Sequence, residues 1–166
     1  MRIPIVNEKD EVVKYIERNE LAVGDTFRVA GLWVYDKEGN ILLARRALSK
    51  KRHPGLWSVA VAGTVEENET YDSNIVKEME EELGIVGYIP KKVLKDYREA
   101  DDGIKRWATH YNLILPREYQ FTLREDEVIE TKWYTPQELV DDVTSHPEKF
   151  TSTFLLFYKD FLKYEN

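Results

Sequence analysis

The segment that decides the fold is residues 63–85, GTVEENETYDSNIVKEMEEELGI. Apolar side chains recur in it at the three- and four-residue spacing of an amphipathic helix, which we expect over about residues 70–83. These side chains are Ile75, Val76, Met79 and Leu83. Gly84 then predicts the helix end, because glycine readily takes the left-handed conformation in which many helices stop.

Three glutamates share one face of this expected helix. Glu78, Glu81 and Glu82 stand at positions i, i+3 and i+4, so they fall within an arc of roughly 100°. Like charges at this spacing repel each other, and a divalent cation would remove that repulsion. Mg²⁺ prefers oxygen ligands and keeps phosphate oxygens in its shell. The pattern therefore indicates a magnesium site, although a run of charge taken alone is more typical of a solvated helix face.

The whole segment resembles the Nudix box, a loop–helix–loop signature written G-x5-E-x7-R-E-U-x-E-E-x-G-U, where U is a bulky aliphatic residue. Gly63 begins the match, and Glu69 and Gly84 fall at the required positions. Every specified position matches except one, where Lys77 replaces arginine. The resemblance implies an α/β (α+β) fold, the Nudix α/β/α sandwich with a mixed β-sheet, and a Mg²⁺-dependent hydrolase that cleaves a diphosphate bond.

The resemblance also implies which residues hold the metal and act in catalysis. Glu78, Glu81 and Glu82 would be the metal ligands and catalytic residues, and the main-chain carbonyl of Ala62 would add a further ligand. One of these carboxylates, or one from a nearby loop, would orient or deprotonate the attacking water. Mg²⁺ is the expected ion, with Mn²⁺ as the alternative.

Three further residues of the segment would hold the loop and the helix in place without binding the metal themselves. Gly63 would let the loop backbone bend close to the metal, because glycine has no side chain. In the family, the glutamate at the position of Glu69 pairs with the box arginine and holds the loop on the helix. Lys77 keeps that positive charge but lacks the two-pronged guanidinium, so we expect the same architecture with looser support.

A basic loop at residues 45–53, RRALSKKRH, carries a second resemblance. Together with the PGLW that follows, it is similar to isopentenyl diphosphate isomerase, an enzyme with the Nudix fold. In that family the matching arginine and lysine grip the substrate diphosphate, which implies substrate-binding roles for Arg46 and Lys50. A solvated loop is the alternative, although a diphosphate needs cationic partners close to the metal.

The residues that isomerase chemistry requires are missing from this chain. The family's cysteine corresponds to Ala62 and its neighbouring histidine to Thr64, and the sequence contains no cysteine. The isomerase Glu-x-Glu pair should fall near residues 103–108, where Lys105 and Arg106 stand instead. We therefore predict hydrolysis of the diphosphate linkage in a nucleoside diphosphate joined to another group. An isomerase-like enzyme and a nucleotide-binding Nudix module without turnover remain the alternatives.

Other side chains are candidates for the site, each with an ordinary structural alternative. The acids, which are more typical of exposed loops, are Glu99, Asp101, Asp102, Glu125, Glu127 and Glu130. The aromatic candidates, which favour a core or sheet-face position over ligand stacking, are Tyr97, Trp107 and Tyr111. The histidines share no metal-ligand spacing and receive no role; they are His53, His110 and His146.

The rest of the chain predicts strands interspersed with helices, which gives a mixed α/β or α+β domain. Strands are expected at residues 3–6, 12–16, 27–35, 41–44, 57–61, 93–97, 107–115 and 128–134. A helix should begin at Thr135 and Pro136, with proline at its first position. A last amphipathic helix should run over residues 150–164.

Length and composition limit the remaining possibilities. A chain of 166 residues with 42% hydrophobic residues suits one domain spanning residues 1–166. The 24 Lys and Arg against 31 Asp and Glu give a net charge of −7, which argues against nucleic-acid binding. The absence of cysteine excludes disulfides and thiolate chemistry. No stretch resembles a membrane span or signal peptide, so we expect a cytoplasmic protein with a small diphosphate partner, and leave a homodimer open.

Overall fold

The computed structural model describes residues 1–99 and 103–163 and centres on a nine-stranded mixed sheet. Its strands are β1 (Arg2–Val6), β2 (Val12–Glu17), β3 (Thr26–Tyr35), β4 (Ile41–Arg46), β5 (Trp57–Val59), β6 (Val61–Thr64), β7 (Lys91–Glu99), β8 (Lys105–Ile114) and β9 (Val128–Tyr134). Its helices are α1 (Tyr71–Leu83), α2 (Pro136–Ser145) and α3 (Ser152–Phe157), with short 3-10 turns at Arg18–Glu20, Pro147–Lys149 and Tyr158–Phe161.

Strand β3 organises the sheet. It runs parallel to β8 over its whole length, from Thr26 beside Lys105 to Tyr35 beside Ile114. Its other edge pairs with β1, β6 and β4, all antiparallel. Strand β7 extends the sheet beyond β8, while β5 and β9 flank β4. The parallel β3–β8 pair among antiparallel neighbours confirms the predicted mixed sheet.

The two faces of the sheet are covered by different helices. Side chains of β3 alternate between two cores, as strand geometry requires. The core on one face joins Ala30, Leu32 and Val34 of β3 to Ile75, Met79 and Leu83 of α1. The core on the other face joins Trp33 and Tyr35 of β3 to Leu139 and Val143 of α2 and to Phe154 and Phe157 of α3. Helices on both faces confirm the predicted α/β/α sandwich.

Helix α1 begins and ends where the sequence indicates. The side chain of Thr70 accepts a hydrogen bond from the backbone N–H of Ser73, which caps the helix start. Gly84 ends the helix with a φ of 67°, in the left-handed region that favours glycine. Among the apolar residues of its periodic pattern, Ile75, Met79 and Leu83 are buried, whereas Val76 is 42% exposed. In the described part of the chain, no helix is both long and apolar enough to span a membrane.

One expected strand is in fact two. The sequence predicts a single strand at residues 57–61, but Ala60 interrupts it and separates β5 from β6. The reason is a change of partner, because β5 pairs with β4 whereas β6 pairs with β3. This crossing brings the backbone of Ala62 and Gly63 alongside β3, next to the start of the segment that leads into α1.

The last helix is shorter than the sequence predicts. A continuous helix over residues 150–164 is wrong, because α3 ends at Phe157 and the chain tightens into the 3-10 turn at Tyr158–Phe161. The turn stacks Phe161 on Trp33 with ring centroids 4.3 Å apart. The hydroxyl of Tyr35 also donates a hydrogen bond to the backbone oxygen of Phe161. Core packing therefore ends the helix early; the expected helix end at residue 164 lies outside the described residues.

Candidate active site

A cavity of about 650 Å³ is bounded by α1, the basic loop after β4, and the sheet face that carries α3. Its acidic wall consists of Glu66, Glu78, Glu81, Glu82 and Glu127. The basic loop contributes Arg46, Lys50, Arg52 and His53. An apolar part of the lining comes from Val29, Ala108, Phe154 and Phe157. The volume lies within the roughly 300–1,000 Å³ that is typical of small-molecule sites.

The three predicted glutamates of α1 all line this cavity. Glu81 is exposed, whereas Glu78 and Glu82 are partly buried. Burial raises the pKa of Glu78 above its ordinary value, and the nearby carboxylates of Glu81 and Glu69 add to the rise. Burial and the carboxylates of Glu78 and Glu127 raise the pKa of Glu82 to about 8, although the backbone N–H of Ala62 hydrogen-bonds to Glu82 and opposes the rise.

This donor set fits a hard divalent cation. Carboxylate oxygens are the ligands that Mg²⁺ and Mn²⁺ prefer, and either ion would neutralise the like charges that raise the pKa of Glu78 and Glu82. Among residues 1–99 and 103–163, no three acidic or histidine side chains already converge at coordination distance. Because like-charged carboxylates repel each other, gathering them around an ion would take side-chain rotations.

Gly63 is required by close packing rather than by a bend. Its backbone lies in β6 opposite Ala30, and its φ is not in the left-handed region. A Cβ atom at this position would lie 2.4 Å from Cγ of Glu78 and 2.7 Å from Oδ1 of Asn74. Any side chain would therefore force the side chains of Glu78 and Asn74 to move. Glycine is needed here because the backbone lies directly against Glu78, and a left-handed backbone conformation is not the reason.

Lys77 binds a cluster of carboxylates at the back of the cavity wall. Its Nζ lies 2.7 Å from Oε1 of Glu69, the partner suggested by the resemblance, and 2.8 Å from Oε1 of Glu66. A third carboxylate oxygen, Oε1 of Glu78, lies 3.7 Å away. These contacts raise the pKa of Lys77 against the opposing effect of its burial. Glu66 was not identified from the sequence, because nothing in a loop glutamate distinguishes this contact.

Asn74 lies beside this cluster and was also missed. It is fully buried in α1, and its Nδ2 donates to Oε2 of Glu69 at 2.8 Å. The same nitrogen lies 3.1 Å from the carbonyl oxygen of Thr64 and 3.3 Å from Oε1 of Glu78. The signal in the sequence was an amide next to Ile75, within the apolar arc of an amphipathic helix and four residues before Glu78.

The basic loop brings cations to the acidic wall. Arg46 and Lys50, the two predicted substrate-binding residues, both line the cavity. Lys50 forms an ion pair with Glu127, which lines the same wall. Arg124, which was not predicted, also lines the cavity, and its Nη1 is 3.3 Å from Oε2 of Glu81. Cations and carboxylates therefore alternate around this wall, an arrangement suited to a metal-bound diphosphate.

Three more arginines line the cavity and were not predicted. Arg98 of β7 and Arg106 of β8 stand directly opposite each other in the sheet. Arg18 and Arg106 both lie over the ring of Phe27, 4.9 and 5.2 Å from its centroid. A signal was present in β8, where alternation places Arg106 on the same strand face as Ala108 and His110. Arg98 and Arg106 lie on strands of the sheet, and Arg18 lies in the 3-10 turn at Arg18–Glu20.

The other acidic candidates lie away from the cavity. Glu99 is exposed at the end of β7, and Glu125 is exposed before β9. Glu130 pairs with Arg45 at 3.2 Å on β4 and does not line the cavity. The candidate acids at positions 101 and 102 lie outside the described residues. Among the candidate acids that the structure describes, Glu127 is the one that the fold brings to the α1 glutamates.

The aromatic candidates are parts of the sheet rather than of the cavity lining. The ring of Trp107 contacts that of Tyr97 with centroids 5.1 Å apart. The hydroxyl of Tyr111 donates to Oδ1 of Asp72 at 2.5 Å. Among the histidines, which received no role, His53 and His110 line the cavity, whereas His146 lies at the surface beside Glu148.

Comparison with known proteins places this geometry in a family. A family model for the NUDIX domain matches residues 25–154. The chain is 31% identical over 150 residues to the Nudix hydrolase YfcD of Escherichia coli (strain K12), covering 90% of this chain and 79% of that protein. It is also 26% identical over 129 residues to an isopentenyl-diphosphate Delta-isomerase of Escherichia coli O17:K52:H18, covering 72% of this chain and 67% of the isomerase.

A solved structure agrees with the fold. The crystal structure of DR0079 from Deinococcus radiodurans superposes with a TM-score of 0.76 and 21% sequence identity. The match covers 96% of this chain and 98% of DR0079. At this level of identity the likeness supports the architecture alone, so the chemistry must be argued from the side chains of the cavity.

Proposed function

The chain belongs to the Nudix hydrolase family, and from this premise we propose that it hydrolyses the diphosphate linkage of a nucleoside diphosphate joined to another group, with Mg²⁺ as cofactor. The observation that carries the proposal is the cavity wall on which Glu78, Glu81 and Glu82 face the cationic loop of Arg46 and Lys50. Diphosphate hydrolysis needs this combination, because the metal and the cations must neutralise the same phosphate oxygens.

The residues that would hold the metal are the three glutamates of α1, with the main-chain oxygen of Ala62 as a further ligand. A bound Mg²⁺ would polarise the phosphate oxygens and lower the charge on the leaving group. Mn²⁺ could replace it, because the ligands are all oxygens. A carboxylate of the same wall, from α1 or from Glu127, would take the proton of the attacking water.

The basic loop would hold the diphosphate. Lys50 is a point charge that already lies against a carboxylate, so a substrate phosphate would take the place of Glu127 as its partner. Arg46 lines the same wall, and its main chain is fixed by hydrogen bonds to Leu56 and Gly55. A fixed backbone reduces the entropy lost when the side chain binds an anion.

The size of the cavity supports a substrate larger than a diphosphate. About 650 Å³ leaves room for a nucleoside and a second group beside the phosphates. Apolar side chains such as Ala108, Phe154 and Phe157 would bury the non-polar part of such a substrate. Arg98 and Arg106 would face its polar groups at the sheet.

The test is a panel of diphosphate compounds assayed with Mg²⁺ for release of a phosphate-containing product. Nucleotide sugars, ADP-ribose, dinucleoside polyphosphates, nucleoside triphosphates and isopentenyl diphosphate make up the panel. We expect turnover of a nucleoside diphosphate derivative, and a loss of at least about 100-fold in kcat for Glu82→Gln. Glu80→Gln is the matched control, because Glu80 is exposed on the same helix and does not line the cavity.

Three outcomes would contradict the proposal. No hydrolysis of any compound would favour a binding module, and isomerisation of isopentenyl diphosphate would favour the related enzyme. The isomerase outcome is disfavoured by the absence of cysteine and by Arg106, which lines the cavity where an acid would be needed. Wild-type activity in Glu82→Gln would show that the carboxylates of α1 do not carry the reaction.

A further inference from the structure

Asn74 is a polar residue in a position where packing alone would favour an apolar one. It is fully buried in α1 between Tyr71 and Ile75, and asparagine is a weaker helix former than leucine or alanine. Its Oδ1 has no hydrogen-bond partner among the described residues, which makes its burial costly. The presence of an amide at this position must therefore be explained by the hydrogen bonds of its nitrogen, Nδ2.

Nδ2 of Asn74 contacts three acceptors, one at the end of β6, one in the loop before α1 and one on α1 itself. It donates to Oε2 of Glu69 at 2.8 Å and to the carbonyl oxygen of Thr64 at 3.1 Å. The third acceptor, Oε1 of Glu78, lies 3.3 Å away. An amide group has two hydrogens, so the two shorter contacts take them and the contact to Glu78 is shared. One amide thereby links two carboxylates that would otherwise repel each other.

The two oxygens of Glu69 are bound by two different side chains. Oε1 contacts Nζ of Lys77 at 2.7 Å, and Oε2 accepts from Nδ2 of Asn74. The backbone N–H of Glu66 also donates to Oε2 at 2.9 Å, which closes the loop. An arginine could bind both oxygens of one carboxylate with its planar fork, but a lysine offers a single point of charge.

We propose that Asn74 and Lys77 together do what one arginine fork would do at Glu69, and that Asn74 is a positioning residue for Glu78. The part about Glu78 as a metal ligand rests on the proposed function. The part about the shared binding of Glu69 does not, because it concerns the metal-free fold.

Geometry explains why the position of Glu78 would depend on Asn74. Both side chains pack against the bare backbone of Gly63, where a Cβ atom would lie 2.4 Å from Cγ of Glu78 and 2.7 Å from Oδ1 of Asn74. Without the amide, Glu69 loses the hydrogen bond from Asn74. The donor that lies between the carboxylates of Glu69 and Glu78 is lost as well. The glutamate would then move away from Glu69, and a larger rearrangement of Glu78 would be needed to bind a metal ion.

A four-member set of proteins tests the proposal: wild type, Asn74→Ala, Lys77→Arg and the double variant. Two quantities are measured, the Kd for Mn²⁺ without substrate and the Tm of the metal-free protein. We expect Asn74→Ala to raise the Kd about tenfold and to lower the Tm by about 3 °C. In the double variant the guanidinium takes both oxygens of Glu69, so we expect the Tm to return to that of wild type and the Kd to recover to within about threefold.

Val76→Ala is the matched control. It shortens a side chain of the same helix at a position that is 42% exposed, and a valine side chain cannot form a hydrogen bond to Glu69 or Glu78. We expect it to leave the Kd for Mn²⁺ unchanged. A purely structural role for Asn74 would lower the Tm without changing that Kd, so the two readouts distinguish positioning from packing.

The outcomes that overturn the inference are specific. Wild-type Mn²⁺ affinity in Asn74→Ala would remove the link to Glu78, and a double variant whose Tm stays as low as that of Asn74→Ala would remove the shared fork. If wild type itself does not bind Mn²⁺, the proposed function fails, while the Tm comparison still decides whether Asn74 and Lys77 are coupled. If Asn74→Ala does not fold, a folded double variant supports the fork and an unfolded one contradicts it.

Discussion

The indole Nε1 of Trp33 donates a hydrogen bond to Nδ1 of His110 at 3.2 Å, in the core below α3. Because Nδ1 accepts, the neutral ring must carry its hydrogen on Nε2, which has no partner among the described residues. The ring is 5% exposed and packs against Phe157 with centroids 4.5 Å apart. A protonated imidazole would lose the bond from Trp33 and place a charge in this core.

His110 should therefore make the protein sensitive to acid. Burial lowers its pKa from 6.5 to about 4, with Arg98 adding to the fall and Asp96 opposing it. The folded protein is stabilised by this neutral ring above pH 6.5, and the stabilisation is lost as the pH falls from 6.5 towards 4. The loss in the free energy of unfolding is about 3 kcal/mol over this range. Urea unfolding at pH 7.0 and 4.5 measures it.

His110→Gln is the variant that isolates this effect. A glutamine can still accept the bond from Trp33 but does not titrate, so its free energy of unfolding should fall less between pH 7.0 and 4.5, by about 2 kcal/mol relative to wild type. Equal losses in the two proteins would show that the ring does not resist protonation. Carboxylates contribute equally to both proteins and cancel in the comparison.

A second prediction concerns Asp10, whose side chain is 7% exposed and lies in the turn between β1 and β2. It contacts Arg28 at 2.7 Å and Lys95 at 2.6 Å, and accepts from the hydroxyl of Tyr71 at 3.0 Å. Burial opposes ionisation of Asp10, but the hydrogen bonds from Lys95 and Arg28 outweigh it and lower its pKa. Asp10→Asn should reduce the free energy of unfolding by about 3 kcal/mol at pH 7.

The pH dependence of the free energy of unfolding provides a control for this prediction. A carboxyl whose pKa is lowered by folding stabilises the protein above its ordinary value of 3.8, and the stabilisation is lost as the pH falls through the lower folded value. The difference between wild type and Asp10→Asn should therefore shrink at about pH 2. Glu8→Gln, at an exposed position in the same turn, should show no such difference. If the free energies of unfolding of wild type and Asp10→Asn differ by the same amount at all pH values, the ion-pair explanation is wrong.

The carboxylate face of α1 could be predicted from the sequence because helix periodicity is local. The spacing of Glu78, Glu81 and Glu82 determines their shared face once the helix forms, and Gly84 marks its end by its backbone preference alone. The mixed sheet was also predictable, since strand-forming runs alternate with helical ones. These features depend on neighbouring residues and need no knowledge of distant contacts.

The remaining wall of the cavity could not be predicted, because it depends on how distant segments pair. Glu127 reaches α1 through the β4–β9 pairing and through backbone hydrogen bonds from Thr122 and Arg124 to the end of α1, and Arg98 reaches Arg106 through the register of β7 and β8. The reason for Gly63 also escaped the sequence, since a close approach between β6 and α1 leaves no local mark. A family signature identifies the glycine but not the contact that requires it.

Gly63 provides the third prediction. A methyl group at this position would overlap Cγ of Glu78, so Gly63→Ala should displace the glutamate and weaken Mn²⁺ binding about tenfold. Overpacking should also lower the Tm by about 5 °C. Gly31→Ala is the control for stability, because its Cβ would meet Nδ1 of His110 at 3.4 Å, an ordinary contact. Equal Tm values for the two variants would contradict the close approach of β6 and α1.

The last prediction tests the grip on the diphosphate. Lys50 lines the cavity beside Glu127, whereas its neighbour Lys51 is exposed and outside the lining. Lys50→Met keeps the length of the side chain and removes its charge, so it loses a charge-assisted contact to the substrate and leaves Glu127 unpaired near Glu82. For the substrate identified in the panel, kcat/KM should fall about 30-fold, while Lys51→Met should stay within about twofold of wild type.

If the lysine binds the ground state and the transition state alike, the loss lies in KM with kcat unchanged, whereas a loss in kcat would assign Lys50 to the charge that develops during bond cleavage. Equal kinetics for the two methionine variants would mean that the basic loop is only a solvated surface.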